Sequence, residues 1–229
     1  MKQESEPFQD ITAASSNSIA TAKAELRRVM RGKRTGLSTA ERSAASAAIC
    51  ARLLNLNVLE PRLHQHTAPV AVYLAKSSEA SIDSFIEELL GKRVAVAAPR
   101  QVADDEVSFY TLRDLHSTPR PGKFGVRSPL EYAGGKAYGP RRLGVVLTPG
   151  LAFDRTGGRL GQGGGWYDRV LPFAKLSIGI CFDCQLLDSV PQEAHDARVD
   201  MIVTESQTID VSGRATAYLK TLSTNRRKL

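Results

Sequence analysis

Arg159, the glycines on either side of it and Asp168 are the residues of this chain best suited to handling a polyphosphate. Six of the nine residues from Gly157 to Gly165 are glycine, and a backbone free of Cβ atoms can wrap its N–H groups closely around an anion. Arg159 adds a planar fork of donors for phosphate charge. Asp168, three residues beyond the last glycine, is an oxygen ligand of the kind that holds the magnesium accompanying a nucleoside triphosphate. The pattern is not a Walker loop, which requires GxxxxGK followed by Ser or Thr. Nor is it a Rossmann GxGxxG turn with an acidic residue about twenty positions on. Glycine content alone fits a plain surface loop equally well. The flanks favour a binding loop: GVVLTPGLAF, from Gly144 to Phe153, is a continuous apolar run that predicts a buried strand, and WYDRVLPFA resumes apolar periodicity directly after the glycines.

The elements that must position this loop alternate between helix and strand. A basic helix is expected from Ala20 to about Arg34, with Leu26, Val29 and Met30 on one side, Lys23, Arg27, Arg28 and Arg31 elsewhere, and Gly32 and Gly36 helping to end it. A second helix starts at Ser38, whose SxxE spacing to Glu41 is a capping box, and runs through Ile49, Leu53 and Leu54. PVAVYLA from Pro69, the amphipathic IDSFIEELL and the apolar RVAVAAP form a β-α-β unit. EVSFYTL from Glu106 alternates like a strand, and Pro119 to Pro140 is a loop rich in Gly and Pro. After the glycine loop, a helix from Trp166 to about Lys175, strands in SIGICF and VDMIVTE, and RATAYLK as a possible edge strand complete the pattern. Such alternation predicts an α/β domain with a mostly parallel sheet. Ligands of such sheets gather at the carboxyl ends of strands, where Glu79, the glycine loop and the segment after Cys181 should emerge.

Composition sets the class of partner. With 229 residues, 42% hydrophobic and 24% charged, the chain is long enough for one good-sized core, read as a single domain over 20–229 behind a disordered tail at 1–19. The formal net charge of +7 suits nucleic acid, a membrane surface or a small polyanion. The basic residues are scattered, apart from the first helix and the tail Arg226, Arg227 and Lys228, and aromatics do not interleave with them, so a polyanionic small molecule is expected and nucleic acid is not. No apolar run approaches the ~20 residues of a membrane span, and the first residues lack a signal-peptide core. Three cysteines, an odd number, argue for a reducing cytoplasm. Cys181 and Cys184 form a CxxC, but no second pair completes a Cys₄ zinc site, and the motif closes a strand where a redox CxxC would open a helix.

PGLAFDRTGGRLGQGGGWYDRVL, together with KAELR, YLAKSSEASI and PQEAHDARVDMIVTE in the same order, resembles the 5-formyltetrahydrofolate cyclo-ligase family over roughly Lys23 to Glu205. The glycine segment carries the resemblance; the other three would be weak alone. It implies a three-layer α/β/α fold with a mostly parallel sheet, related to ribose-5-phosphate isomerase and CoA transferases. It also implies a monomeric enzyme that uses Mg-ATP to convert 5-formyltetrahydrofolate to 5,10-methenyltetrahydrofolate, releasing ADP and phosphate. An amide-like formyl group is a poor electrophile. Transfer of the γ-phosphoryl to its oxygen makes that oxygen a leaving group, so nitrogen 10 can close the ring. Catalysis of such a step is chiefly positioning and charge neutralisation, and no dedicated general base is required.

By resemblance, Lys23 and Arg27 reach ATP from the first helix, and Arg159, Leu160, Gly161, Gln162, Gly163, Gly164, Gly165, Trp166 and Tyr167 line the triphosphate, with Arg159 catalytic. Asp168 and Asp196 match the magnesium ligands. Leu74 and Glu79 match the folate contacts, where a strand-end glutamate could accept hydrogen bonds from the pterin amino and ring N–H groups. Gln162, Gly163, Gly164, Gly165 and Trp166 touch the formyl group and pterin from the other side, and Phe124 supplies another wall. Residue by residue, plainer readings stand beside these: a solvated helix face for Lys23 and Arg27, a helix cap for Asp168, a turn residue for Asp196, a surface carboxylate for Glu79. His195 is a candidate base the reaction does not demand. Trp166 stands where tyrosine is common in the family, and Ser128 where many members carry glutamate, which puts one folate contact in doubt. Two other functions share these features: a phosphosugar isomerase or CoA-transferase relative without ATP chemistry, and a non-catalytic folate-binding paralogue. The first has no use for Arg159 together with two carboxylates.

Overall fold

The computed structural model describes residues 10–56, 68–101, 107–115, 127–129 and 136–218, with side chains described from residue 18 onward except those of 101 and 107. In chain order the elements are α1 (Asp10–Gly36), α2 (Thr39–Leu54), β1 (Val70–Ala71), α3 (Asp83–Gly91), β2 (Val96–Gln101), β3 (Val107–Leu112) and β4 (Ala137–Tyr138). They continue with β5 (Val145–Pro149), β6 (Ala152–Asp154), β7 (Arg159–Leu160), β8 (Leu176–Ile180), β9 (Leu186–Leu187), β10 (Met201–Val203) and β11 (Thr208–Asp210). Eight strands form one sheet in the order β11-β10-β8-β5-β1-β2-β3-β4. The centre, from β10 through β8, β5 and β1 to β2, is parallel, while β11, β3 and β4 join antiparallel at the edges. The expected α/β class with a mostly parallel sheet is therefore what the chain adopts.

Alternation along β5 assigns the two faces. Val145 and Leu147 point toward Ile49 and Leu53 of α2 and Phe85, Ile86 and Leu89 of α3; Val146 points the other way, toward Phe153, Val170 and Leu171. Helices cover one face. The other is covered by short 3-10 turns and by a second sheet of β7, β6 and β9. Phe153 of β6 is the wedge between the sheets. A Cβ at Gly179 of β8 would lie 2.4 Å from its ring, so glycine is required there for the sheets to close. α1 sits outside the main sheet and docks by Met30 and Leu26 onto Leu151, Ala152, Leu160 and Val190.

Four sequence readings are corrected. α1 spans Asp10–Gly36, longer than the helix expected from Ala20 to about Arg34, and continues through Gly32 without a break. The apolar run 144–153 is two strands in different sheets, turned at Gly150 and Leu151. The helix expected from Trp166 to Lys175 is two 3-10 turns, Tyr167–Arg169 and Leu171–Phe173, because Pro172 has no N–H with which to propagate an α-helix. RATAYLK is helical over 214–218. Arg214 is drawn to the buried Asp200, which also accepts from the Ser177 N–H at 2.9 Å and the Ser212 hydroxyl at 3.1 Å. The edge position belongs to β11. The capping box is as expected, with Glu41 N–H donating to Ser38 and Ser38 N–H to the Glu41 carboxylate.

The β6–β7 turn is held by Asp154, which lies buried and accepts from Thr156 N–H (2.8 Å), Thr156 hydroxyl (2.6 Å), Gly158 N–H (3.0 Å) and Val190 N–H (2.9 Å). Burial raises its pKa, but these donors outweigh that and leave it below the usual carboxylate value. Stability from a depressed carboxylate is present above the unfolded value of about 3.9 and is lost as pH falls through the folded value. Asp154→Asn should lower unfolding stability by about 1–3 kcal/mol at neutral pH in urea titration. The gap to wild type should close as pH is lowered from about 4 to about 2; a gap of constant size would contradict a charged Asp154.

Candidate functional site

Lys23, Arg27, Arg31 and Arg34 lie four, four and three residues apart on α1, which puts them in one stripe along the helix. At 1.5 Å per residue the stripe is about 16 Å long. Its members meet three parts of the protein in turn. Lys23 Nζ contacts Glu193 at 2.6 Å and Asp196 at 2.5 Å. Arg27 donates from Nε to the Gly161 carbonyl at 3.0 Å, and Arg31 donates to Gln162 Oε1 at 3.2 Å. Arg34 reaches Glu79 at 3.6 Å.

The glycine run divides into two jobs. Gly157 and Gly158 belong to the β6–β7 turn, and the segment after Leu160 passes under α1. A Cβ at Gly161 would stand 2.9 Å from Arg159 Nη1, so a side chain there would shift the end of Arg159. Gly163 and Gly165 have φ of +109° and +61°, which only glycine adopts readily. Arg159 is buried; its Nη2 sits 3.1 Å from both oxygens of Asp168, and its guanidinium lies 5.4 Å from the centre of the Tyr167 ring. Burial pushes the Tyr167 phenol well above its ordinary pKa, with Glu79 nearby adding to the effect, so Tyr167 is a neutral donor.

The segments carrying the two candidate magnesium ligands meet. Ala197 N–H donates to Asp168 Oδ1 at 3.2 Å. Beside Asp196, one ligand atom each from Glu193, His195 and Asp196 lie within 4.8 Å of one another. Oxygen donors on adjoining segments fit magnesium, which takes one or two protein carboxylates and completes its shell with phosphate oxygens and water. Burial opposes the charge of Asp196, but the Glu193 N–H and Lys23 hold its pKa below the usual value; burial likewise opposes the Lys23 charge, and the two carboxylates raise it.

At the far end of the stripe, Glu79 Oε2 accepts from the Lys76 N–H at 3.0 Å. Leu74 and Tyr73 are buried in the main core, and the Tyr73 hydroxyl donates to the Ala80 carbonyl at 2.6 Å.

The sequence profile described as the 5-formyltetrahydrofolate cyclo-ligase family matches residues 19–205. The chain belongs to this family. It is 31% identical over 159 residues to the 5-formyltetrahydrofolate cyclo-ligase of Escherichia coli K12, covering 64% of this chain and 82% of that one. It is also similar to the solved NMR structure of Aquifex aeolicus 5,10-methenyltetrahydrofolate synthetase, with a TM-score of 0.70 and 30% identity over 83% of this chain and 93% of the other. The 5,10-methenyltetrahydrofolate synthetase of Mycoplasma pneumoniae shares the fold, with a TM-score of 0.62 at 24% identity over 80% of this chain and 98% of that one.

Of the residues matched to the cyclo-ligase family, Lys23, Arg27, Arg159, Asp168, Asp196 and the 161–167 segment lie together, joined by the contacts above. Leu160 turns its side chain into the core under α1, leaving only its backbone toward the loop. Gln162, Gly163 and Gly164 are exposed, and Trp166 is half-buried. Phe124 lies outside the described residues, and Ser128 is half-buried. Arg31, Arg34 and Glu193 were not singled out for the site by motif, although the spacing of the basic residues on α1 carried the signal. Burial raises the pKa of both CxxC thiols, which disfavours the reactive thiolate a redox motif needs. His195 is 73% exposed, and its Nε2 is 3.8 Å from the nearest carboxylates, too far for a hydrogen bond that would orient a base. Loss of a general base costs about 100-fold or more. His195→Ala should instead keep its turnover within about threefold of wild type, with an unshifted pH profile; a 100-fold loss in steady-state rate would contradict this.

Proposed function

We propose that this chain is a cytoplasmic, monomeric enzyme that uses Mg-ATP to close 5-formyltetrahydrofolate to 5,10-methenyltetrahydrofolate, releasing ADP and phosphate. The observation that carries the reading is the pairing of two cations expected to meet phosphate with the two carboxylates expected to meet magnesium: Lys23 with Asp196, and Arg159 with Asp168. Opposite charges kept in register in this way can exchange partners when a polyanion and its counter-cation arrive together.

In this reading the N–H groups of 161–165, Lys23 and Arg27 take the triphosphate, and Arg159 meets the charge that spreads over the γ-phosphoryl oxygens during transfer. Asp168 and Asp196 would hold magnesium, which would supply positive charge against the phosphates. Glu79 accepts from the pterin amino and ring N–H groups, and Trp166 offers an apolar face to the ring. The γ-phosphoryl moves from ADP to the formyl oxygen, nitrogen 10 attacks the activated carbon and gives up its proton to solvent or to the departing phosphate, and the C–O bond breaks to release phosphate. The three free thiols suit a reducing compartment.

Purified protein given 5-formyltetrahydrofolate and Mg-ATP should develop the near-ultraviolet absorbance of the methenyl product, and should not do so without ATP. Arg159→Ala should reduce kcat by about 100- to 1000-fold. Asp168→Ala should raise the magnesium concentration for half-maximal rate by about tenfold or more. Wild-type kinetics in both variants would overturn the site assignment, and a wild type without ATP-dependent absorbance would overturn the function.

A further inference from the structure

Arg34 stands out among the cations of α1. Its side chain and that of Glu79 are 5% and 9% exposed, yet the closest approach of the pair is 3.6 Å. A charge-assisted hydrogen bond between guanidinium and carboxylate closes to about 2.7–2.9 Å. In addition, Arg34 Nε is buried and has no hydrogen-bond partner among the described residues. A clamp that merely held Glu79 would use its donors fully. Here a planar fork of donors is desolvated beside a carboxylate and left partly unspent, which is an unfavourable arrangement unless another acceptor shares it.

We propose that Arg34 and Glu79 together read the 2-amino-4-oxopyrimidine edge of the folate, with Arg34 donating to the 4-oxo oxygen. This rests on the functional reading given above. Along that edge the ring presents two donors, the 2-amino group and N3–H, followed by one acceptor, the 4-oxo oxygen. A carboxylate complements the two donors, and a guanidinium at its side complements the acceptor. Glu79 and Arg34 supply that order of acceptor and donor. Lys76 N–H holds one Glu79 oxygen at 3.0 Å, and Tyr73 lies near the pair without competing for it, since its proton is committed to the Ala80 carbonyl. Arg34 is then a specificity residue for the second substrate, carried on the same helix that brings Lys23 to the nucleotide end.

A ligand with a 4-amino group faces the Arg34 donors with more donors, and it also turns N3 into an acceptor toward Glu79, so the change between variants, and not the wild-type preference alone, reports the Arg34 contact. Trp166 is the chain's single tryptophan and lies in the candidate site, so its fluorescence reports binding. Titrations of wild type, Arg34→Met and Arg34→Lys with 5-formyltetrahydrofolate and with its 4-amino counterpart form a cycle that isolates the contact. Wild type should prefer the 4-oxo ligand by at least about tenfold. Arg34→Met should lose that factor on the 4-oxo ligand only, leaving the 4-amino ligand and ATP binding near wild type. Arg34→Lys, which keeps the buried charge but not the fork, should likewise weaken the 4-oxo ligand and leave the 4-amino ligand near wild type, and serves if Arg34→Met does not fold. Equal wild-type affinities, or equal losses on both ligands in the variants, would overturn the proposal while leaving the cyclo-ligase reading intact. A wild type that binds neither ligand would overturn both.

Discussion

A buried cation has to be answered by an anion, and in this protein that requirement organises the site. Lys23 and Arg159 are both withdrawn from water, one between Glu193 and Asp196 and the other across Asp168. Removing either partner would strand a charge at a penalty well above what a surface pair is worth. The pairs therefore tie together segments distant in sequence: a helix outside the main sheet, a hairpin, a 3-10 turn and the 193–197 loop. Met30 and Leu26 bring α1 close enough for Lys23 to reach, and Gly161 leaves the space Arg159 needs. Asp154 holds the hairpin that aims Arg159, using four donors where a less satisfied turn would let the strand drift.

The same helix orders the site along its length. Its cations run from the 193–196 carboxylates, past the glycine loop, to Glu79. On the proposed reading, nucleotide and folate lie at opposite ends of one helix, so the two substrates are registered against each other by helix geometry. Phosphoryl transfer gains mainly from such positioning, because the transferred group needs little covalent help.

Much of this was legible in the sequence, and for identifiable reasons. Period-2 and period-3.6 patterns found the central strands and α2 and α3 because those elements bury one face against a single core. The glycine run and its flanks identified the loop because few other sequences combine so many glycines with an arginine and an aspartate between apolar segments. What misled was continuity. Val145 to Phe153 is apolar throughout, yet Gly150 and Leu151 turn it from one sheet into another, and both halves are buried. Apolar periodicity after Trp166 suggested an α-helix, and Pro172 limits it to 3-10 turns. Val29 looked like part of the apolar face of α1 but is 38% exposed, since the docking surface is only as wide as Met30 and Leu26. Arg34 and Glu193 were missed because a charge on a helix or loop acquires meaning only when a partner far along the chain is brought to it.

On the proposed reading, this arrangement carries a phosphoryl group onto the formyl oxygen. The most direct measurement is to label the formyl oxygen of 5-formyltetrahydrofolate with ¹⁸O, allow a single turnover with Mg-ATP, and determine the isotope in the released phosphate by mass spectrometry. The account predicts that the label appears in inorganic phosphate. Unlabelled phosphate, with ¹⁸O recovered in water or retained in the folate, would contradict it.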